Sequence, residues 1–403
     1  MDTMQGVRVL EVAEHTFVPA ASAILSDWGA DVIKVEHAER GDAMRGLGQT
    51  GVLDLSKGVH VLLEHSNRGK RSIGLDLTKP GGREALYAIA KTADVFLTNK
   101  LPKHLEKLEI DEDTIRKHNP NIIYVRGTAF GPKGPHKNRG GYDMTGFWCR
   151  AGSADASTAE DGPMAMQPGP AYGDSIGGMT IAGGIVAALF RRERTGKAGS
   201  VDVSLLAAGA WAMSPAIALS LQHGVPFQPA KMKRSALNPL SQAYKTSDDR
   251  FLSLVMLQSF HYWPDFCKHI DREDLVSDPR FDSHANLTEN GAEAKEIIQE
   301  EIGKQSFAYW IEKFDTLKGQ WTAVQNTLEV AADEQVRANG YMVEAETAEG
   351  VSFELVGAPV QFDGEPGHTK RAPGFNEHAD EILEEVGIDA EKAIQLRIDG
   401  ALA

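Results

Sequence analysis

Cysteine is almost absent from this chain. Cys149 and Cys267 are the only two in 403 residues, too few for a disulfide framework and too far apart for a zinc motif. A reducing compartment fits such a composition, and a cytoplasmic location is expected. An excess of positive charge is also missing. Lys and Arg number 42 against 57 Asp and Glu, a formal net charge of −15. That excludes a general nucleic-acid binder and leaves an anionic ligand only where basic residues cluster locally. Internal repeats and low-complexity tracts are lacking, which excludes solenoids and fibrous arrays. The start, MDTMQGVRVLEV, has no basic region before an apolar stretch, so no signal peptide is expected.

Long unbroken hydrophobic runs are scarce as well. Gly177 to Phe190 covers only about 14 residues, short of a bilayer. Leu205 to Leu221 is longer, but Ser214 and Pro215 interrupt it. Both are expected as buried helices, with no membrane span. Several catalytic strings are missing: GxxxxGK(S/T), HExxH, GxSxG and CxxC. P-loop, zincin and serine-hydrolase readings lose their main support, and no metal site is expected. Gly46-Leu-Gly-Gln-Thr-Gly51 matches GxGxxG, but it follows the second strand and runs into Val52-Leu-Asp-Leu, which is no helix start. The loop after strand one, Ala13-Glu-His-Thr-Phe-Val-Pro19, has no glycine, so a dinucleotide fingerprint is not expected.

The apolar patterning that is present points to α/β architecture. Gly6-Val-Arg-Val-Leu-Glu-Val12 reads as a buried strand, Ala20 to Trp28 as a helix with Gly29 as its cap, and Ala30 to Glu36 as a second strand. Strand, helix and strand within about 30 residues form a βαβ unit and imply a parallel sheet. The pattern recurs: a helix from Pro80 to about Thr92, a strand Asp94 to Thr98, a helix from Lys103 to His118 and a strand Ile122 to Arg126. Gly173 to Arg194 and Leu205 to His223 read as long helices. A shift toward Pro, Lys and Gln at Gly224 to Asn238 marks a boundary. The expected organisation is a large Rossmann-like α/β domain over residues 1–224, a smaller α+β domain over 225–335, and a segment 336–403 that returns to the large domain.

One segment carries more chemistry than the rest. In Gly173-Asp174-Ser-Ile-Gly-Gly, the plain reading makes Asp174 the cap of a helix beginning at Ser175. The functional reading uses the same place: the helix end keeps the carboxylate charged, and flanking glycines open backbone N–H groups to an oxyanion. Basic residues gather where open α/β sheets bind ligands: Arg40 and Arg45; Arg68, Lys70 and Arg71; Lys100, Lys103 and Lys107. Lys and Arg there suit phosphate groups.

These segments together resemble the class III CoA-transferase (CaiB/BaiF) family. The resemblance rests on the opening Gly6 to Val12, Gly29-Ala-Asp-Val-Ile-Lys-Val-Glu36 and Gly41-Asp42, then on Asn67-Arg-Gly-Lys-Arg-Ser-Ile73 and Ala93-Asp-Val-Phe-Leu-Thr-Asn99. It continues through Gly173-Asp174, Gly183 to Gly196, Val201-Asp-Val-Ser-Leu-Leu206, Asp278-Pro-Arg-Phe281 and Glu377 to Leu383. It implies an interlocked homodimer that exchanges CoA between an acyl-CoA and a carboxylic acid, with no tightly bound cofactor. It places the nucleophile on Asp174 and the loop that binds CoA on His15, Thr16 and Phe17. Two basic CoA contacts fall on Lys100 and Lys107, and the nucleotide part on Asn99, Lys70 and Arg71. The family's Arg after Glu36 is His37 here, with Arg40 as its substitute. The formyl/oxalate branch's Gly-rich loop is replaced near Ser235 by Ser-Ala-Leu-Asn-Pro-Leu240.

A second branch, the 2-methylacyl-CoA racemases, pairs the Asp with a His whose position is Tyr142 here. An unperturbed Tyr titrates near about 10, too high for proton abstraction at neutral pH, which favours transfer and leaves Tyr142 to line the acyl site. Phe147, Trp148, Met166 and Met179 are further candidates for an apolar acyl pocket.

Overall fold

The computed structural model describes residues 2–50, 58–229 and 237–403. Six parallel strands form its central sheet: β1 (Arg8–Val12), β2 (Asp31–Glu36), β3 (Arg71–Gly74), β4 (Val95–Thr98), β5 (Ile123–Thr128) and β6 (Ser200–Ser204). They lie in the order β3-β2-β1-β4-β5-β6. The order runs outward in both directions from β1 and β4, so the switch point lies between their C-terminal ends, where such sheets bind ligands. Residues 12 and 98 therefore mark the place to look, paired in register as Val12 and Thr98.

Helices cover both faces. On one, α1 (Phe17–Asp27) packs beside a 24-residue helix, Tyr172–Thr195, over Val9, Val32, Leu97 and Val125. On the other, the helices Pro80–Thr92 and Glu112–His118 join two C-terminal helices, Ala379–Glu385 and Ala390–Ile398, over Leu10, Ile33, Ile73 and Phe96. The tail thus completes the core begun by the N-terminal half. The short helix α2 (Val61–Asn67) precedes β3, and we call the Tyr172–Thr195 helix α3.

Two helices differ from the sequence expectation. The stretch 103–118 is two helices, Pro102–Lys107 and Glu112–His118, because Glu109 turns left-handed (φ 55°) and Asp111 caps the second through Thr114. The stretch 205–223 is also two, α4 (Leu205–Ala212) and α5 (Ser214–His223), bent by 67° at a break just before Pro215. Nor is that segment a buried helix. No residue of α5 is buried in the single chain, and Trp211 and Leu221 are 82% and 81% exposed. By length and composition α3 could cross a membrane, but Gly177, Ile181, Ile185 and Leu189 on its inner face pack into the core.

The chain divides into two compact units, Met1–Lys231 with Glu334–Ala403, and Met232–Asp333. The sequence reading set these limits at 224 and 335. Within the second unit a three-stranded antiparallel sheet (Ala243–Lys245, Phe251–Leu254, Trp321–Ala323) packs with helices around Trp263, Phe266, Phe281 and Phe314. Gly51, Val52 and Ser235, singled out in the sequence, lie outside the described residues.

Candidate active site

At the end of β1 the chain enters a turn in which His15 is left-handed, φ 69°. That conformation is uncommon for a residue with a side chain and persists only where the surroundings fix it. The His15 N–H donates to Asp42 Oδ1 at 3.0 Å, and Glu14 exchanges two backbone hydrogen bonds with the Asn99 amide at 3.2 and 2.7 Å. Asn99 follows β4, so the pair spans the switch point. Below the turn lies a cluster of buried charges. Lys34 Nζ, on β2 and with 0% of its side chain exposed, pairs with Glu11 at 2.8 Å and Asp42 at 2.7 Å. Burial disfavours its charge, but Asp42 and Glu11 outweigh that and raise its pKa.

Lys70 belongs to the same cluster. Its Nζ donates to Glu11 at 2.9 Å, to the Pro19 carbonyl at 2.9 Å and to Asn67 at 3.2 Å. Burial drives its pKa down to about 7. Arg71 opens β3 at the opposite end of the sheet, bound to Asp31, Glu381 and Glu385. Neither residue lines the cavity: Lys70 Nζ is spent beneath the loop on Glu11 and the Pro19 carbonyl, and Arg71, the first residue of β3, is spent on acids at that end of the strand. Arg45 and Arg68 are likewise consumed by Glu36 and Asp27.

Asp174 lies across the cavity from this loop. It sits in the first turn of α3, which begins at Tyr172, not at Ser175, so it is not the helix cap. Asp143 takes that part: both its oxygens accept the Gly173 N–H at 3.1 Å, it accepts the Asp174 N–H, and Gln167 donates to it at 3.1 Å. These amides are therefore engaged and do not form a free oxyanion pocket. The glycines serve close packing instead. A Cβ at Gly173 would meet the Phe147 ring, one at Gly177 the Phe17 ring, and one at Gly178 would lie 2.8 Å from Ala20. Among the described residues no group donates a hydrogen bond to the Asp174 carboxyl. Burial, and then repulsion from Asp143, raise its pKa to about 7. The helix end alone, expected to keep the group charged, is outweighed. Next along the helix, Ser175 Oγ meets His65 Nε2 at 3.1 Å, and burial lowers that imidazole to about 4.

A cavity of about 650 Å³ connects the two sides. His15, Phe17, Arg40, Asn99, Lys100, Tyr142 and Asp174 all line it, although they come from five separate segments. Tyr142 meets His15 edge-on, with ring centroids 5.4 Å apart. Arg40 and Lys100 both reach Glu14, at 2.9 and 2.7 Å. One acid between two bases leaves net positive charge at the rim. Thr16 is buried and does not line the cavity, and Lys107 is exposed outside it. An adjoining pocket of about 210 Å³ is walled by Val12, Val35, Leu75 and Leu77, with His37 and Arg40 at its edge.

The sequence missed several participants. Arg139, His104 and Phe130 line the cavity, and Asp143 stands behind Asp174. Asp143 was legible only as part of Gly141-Tyr142-Asp143. Conversely, Phe147 and Trp148 are buried in the packing behind Tyr172, Met179 packs against the core, and Met166 is exposed. The apolar walls come instead from Phe17, Ala129, Phe130 and Leu205.

The chain is 29% identical over 393 residues to an (R)-2-hydroxy-4-methylpentanoate CoA-transferase of Clostridioides difficile, covering 96% of each chain. It is 30% identical over 399 residues to a cinnamoyl-CoA:phenyllactate CoA-transferase of Clostridium sporogenes, covering 98% of this chain and 96% of that one. The fold matches a crystal structure of a CaiB/BaiF family protein from Brucella suis with a TM-score of 0.80, at 26% identity over 95% of this chain and 99% of that one. With its residues 4–379 matching the model of CoA-transferase family III, the chain belongs to that family of enzymes.

Proposed function

We propose that the enzyme moves CoA from an acyl-CoA to a carboxylic acid through a covalent intermediate on Asp174. The observation that carries this reading is the Asp174 carboxyl itself, which lines the cavity, takes no hydrogen bond from the described residues and shares the cavity with the net positive charge of Arg40, Lys100 and Glu14. The ionised carboxylate attacks the donor's thioester carbonyl. The C–S bond breaks, CoA leaves as thiolate, and a mixed anhydride remains. The thiolate then attacks the aspartyl carbonyl, forming an aspartyl-CoA thioester and releasing the donor acid. The acceptor carboxylate attacks that thioester, and the same steps run in reverse. Thioester energy is conserved, and the buried wall of α3 limits hydrolysis of the intermediates.

Lys100 and Arg40 suit the CoA phosphates, and the smaller apolar pocket beside Arg40 suits the nucleobase. Phe17, Phe130, Tyr142 and Leu205 would surround the acyl group. The relatives that act on branched 2-hydroxy and aryl acids make such acids the first to test. The exposed apolar surface of α4 and α5, with Trp211 and Leu221 at its centre, supports an interlocked homodimer that covers it. Both cysteines are free thiols, in keeping with a cytoplasmic enzyme.

The test is mass spectrometry after incubation with a panel of acyl-CoAs and hydroxylamine, on wild type and Asp174→Ala. A hydroxamate on the peptide carrying Asp174, absent from the variant, is the expected result. One observation favours a second reading, proton transfer on a 2-methylacyl-CoA: His15 brings an imidazole into the cavity that holds Asp174. Wash-in of solvent deuterium at the α-carbon, without any adduct, would replace transfer with racemisation.

A further inference from the structure

Between β1 and α1 the backbone runs through the cavity wall as Ala13 to Pro19, and four side chains from four different segments hold it. Lys34 Nζ donates to the Ala13 carbonyl at 2.9 Å. The Asn99 amide takes both backbone polar groups of Glu14. Asp42 accepts the His15 N–H and also the Met44 N–H at 2.8 Å. Lys70 Nζ holds the Pro19 carbonyl. Lys34 and Lys70 are themselves joined through Glu11, whose carboxylate accepts from both. The holding groups are buried, apart from the partly exposed Asn99, and their charges balance: Glu11 and Asp42 against Lys34 and Lys70.

Packing alone does not call for such an arrangement. Four buried ionisable groups carry a large desolvation cost, and apolar residues would fill the same volume without it. What the cluster provides is direction. It fixes a left-handed His15, and with it the placement of His15 against Tyr142 and of Phe17 in the cavity wall.

We propose that Lys34, Asp42 and Lys70 are positioning residues for acyl-CoA binding, which clamp the backbone of Ala13 to Pro19 and act through His15 and Phe17 without touching the substrate. The inference rests on acyl-CoA being the ligand of this cavity. It also gives Lys70 a purpose other than the direct CoA contact expected from its place in the sequence. The clamp preorganises the loop, so releasing it weakens ground-state binding more than the chemical step.

The experiment is Asp42→Ala in the full chain, with two readouts: hydrogen exchange of the amides of residues 13–19, and kcat and KM for CoA transfer. The expected result is faster exchange of this loop with KM for acyl-CoA raised about tenfold and kcat within about threefold of wild type. Lys34→Met/Asp42→Asn keeps an amide oxygen for the His15 N–H and leaves Glu11 matched by Lys70. It still lacks the Lys34 hold on the Ala13 carbonyl, so it is expected to show faster exchange of the loop and a KM raised about threefold, and it carries the same two readouts if Asp42→Ala does not fold. Faster exchange with KM unchanged in either variant would overturn the proposal, as would a fall in kcat alone. Failure of the transfer reading is separate, since wild type would then show no transfer at all.

Discussion

The loop that carries His15 and the helix that carries Asp174 face each other across one cavity but are held by opposite means. The loop is fixed by side chains: two lysines, one acid and an amide reach its backbone from beneath. The helix is fixed by the lack of side chains, since Gly173, Gly177 and Gly178 let it lie against Phe147, Phe17 and Ala20. Hydrogen bonds specify direction and suit a strained turn that must present particular groups. Close packing specifies distance and suits a regular helix whose own geometry already aims Asp174. The loop should therefore be sensitive to changes of charge, and the helix to changes of volume.

Removal of the reacting group is the largest change. Asp174→Asn should lower transfer by at least about 10³-fold while the fold persists, measured by initial rates beside thermal melts. The same variant sharpens the electrostatic side of the contrast. A folded-state pKa raised to about 7 means that the unfolded chain releases this proton first, so the wild type loses stability as pH rises from about 4 to 7. Asp174→Asn should thus raise Tm more at pH 8 than at pH 5. Equal gains at both would show that the carboxyl is not buried against its charge.

Next in size is the charge cluster. Lys34→Met leaves Asp42 and part of Glu11 unmatched and should cost about 3–5 kcal/mol in denaturant unfolding. The loss should be mostly reversed in Lys34→Met/Asp42→Asn. On the other wall, Gly177→Val drives a side chain toward the Phe17 ring and should cost about 1–3 kcal/mol with no dependence on pH or salt. A salt-dependent loss at Gly177, or none at Lys34, would dissolve the comparison. The smallest effect is on the pH profile. Activity limited by Asp174 ionisation should rise through about pH 7. Asp143→Asn keeps an oxygen for the Gly173 N–H but removes the repulsion, so its midpoint should move to lower pH, read from kcat/KM against pH.

Much of this was legible before any coordinates. The strands announced themselves as short apolar runs, and Pro80 marked a helix start where the structure has one. Asp174 stood out because glycines surround it. Lys70 and Arg71 misled for a specific reason. A basic residue beside a strand reads the same at either end, and only the direction of β3 shows that both lie at its N-terminal end. Asp143 was hidden because its partners are the Gly173 and Asp174 amides, 30 residues away or more. The helix 205–223 misled because apolar composition implies burial, not what does the burying, and among the described residues none of α5 is buried.

The sequence by itself determined the parallel α/β class, four of the sheet's six strands, and Asp174 as the residue to test. These follow from local periodicity and local chemistry, which act over a few residues. Tertiary structure decided the rest. It chose which cations face the cavity and which are spent on buried acids, and it made Asp143 the cap of a helix it does not belong to. It also set the Asp174 pKa near 7. Burial and the field of neighbouring charges depend on distances through space, and those exist only once β1 and β4 lie side by side.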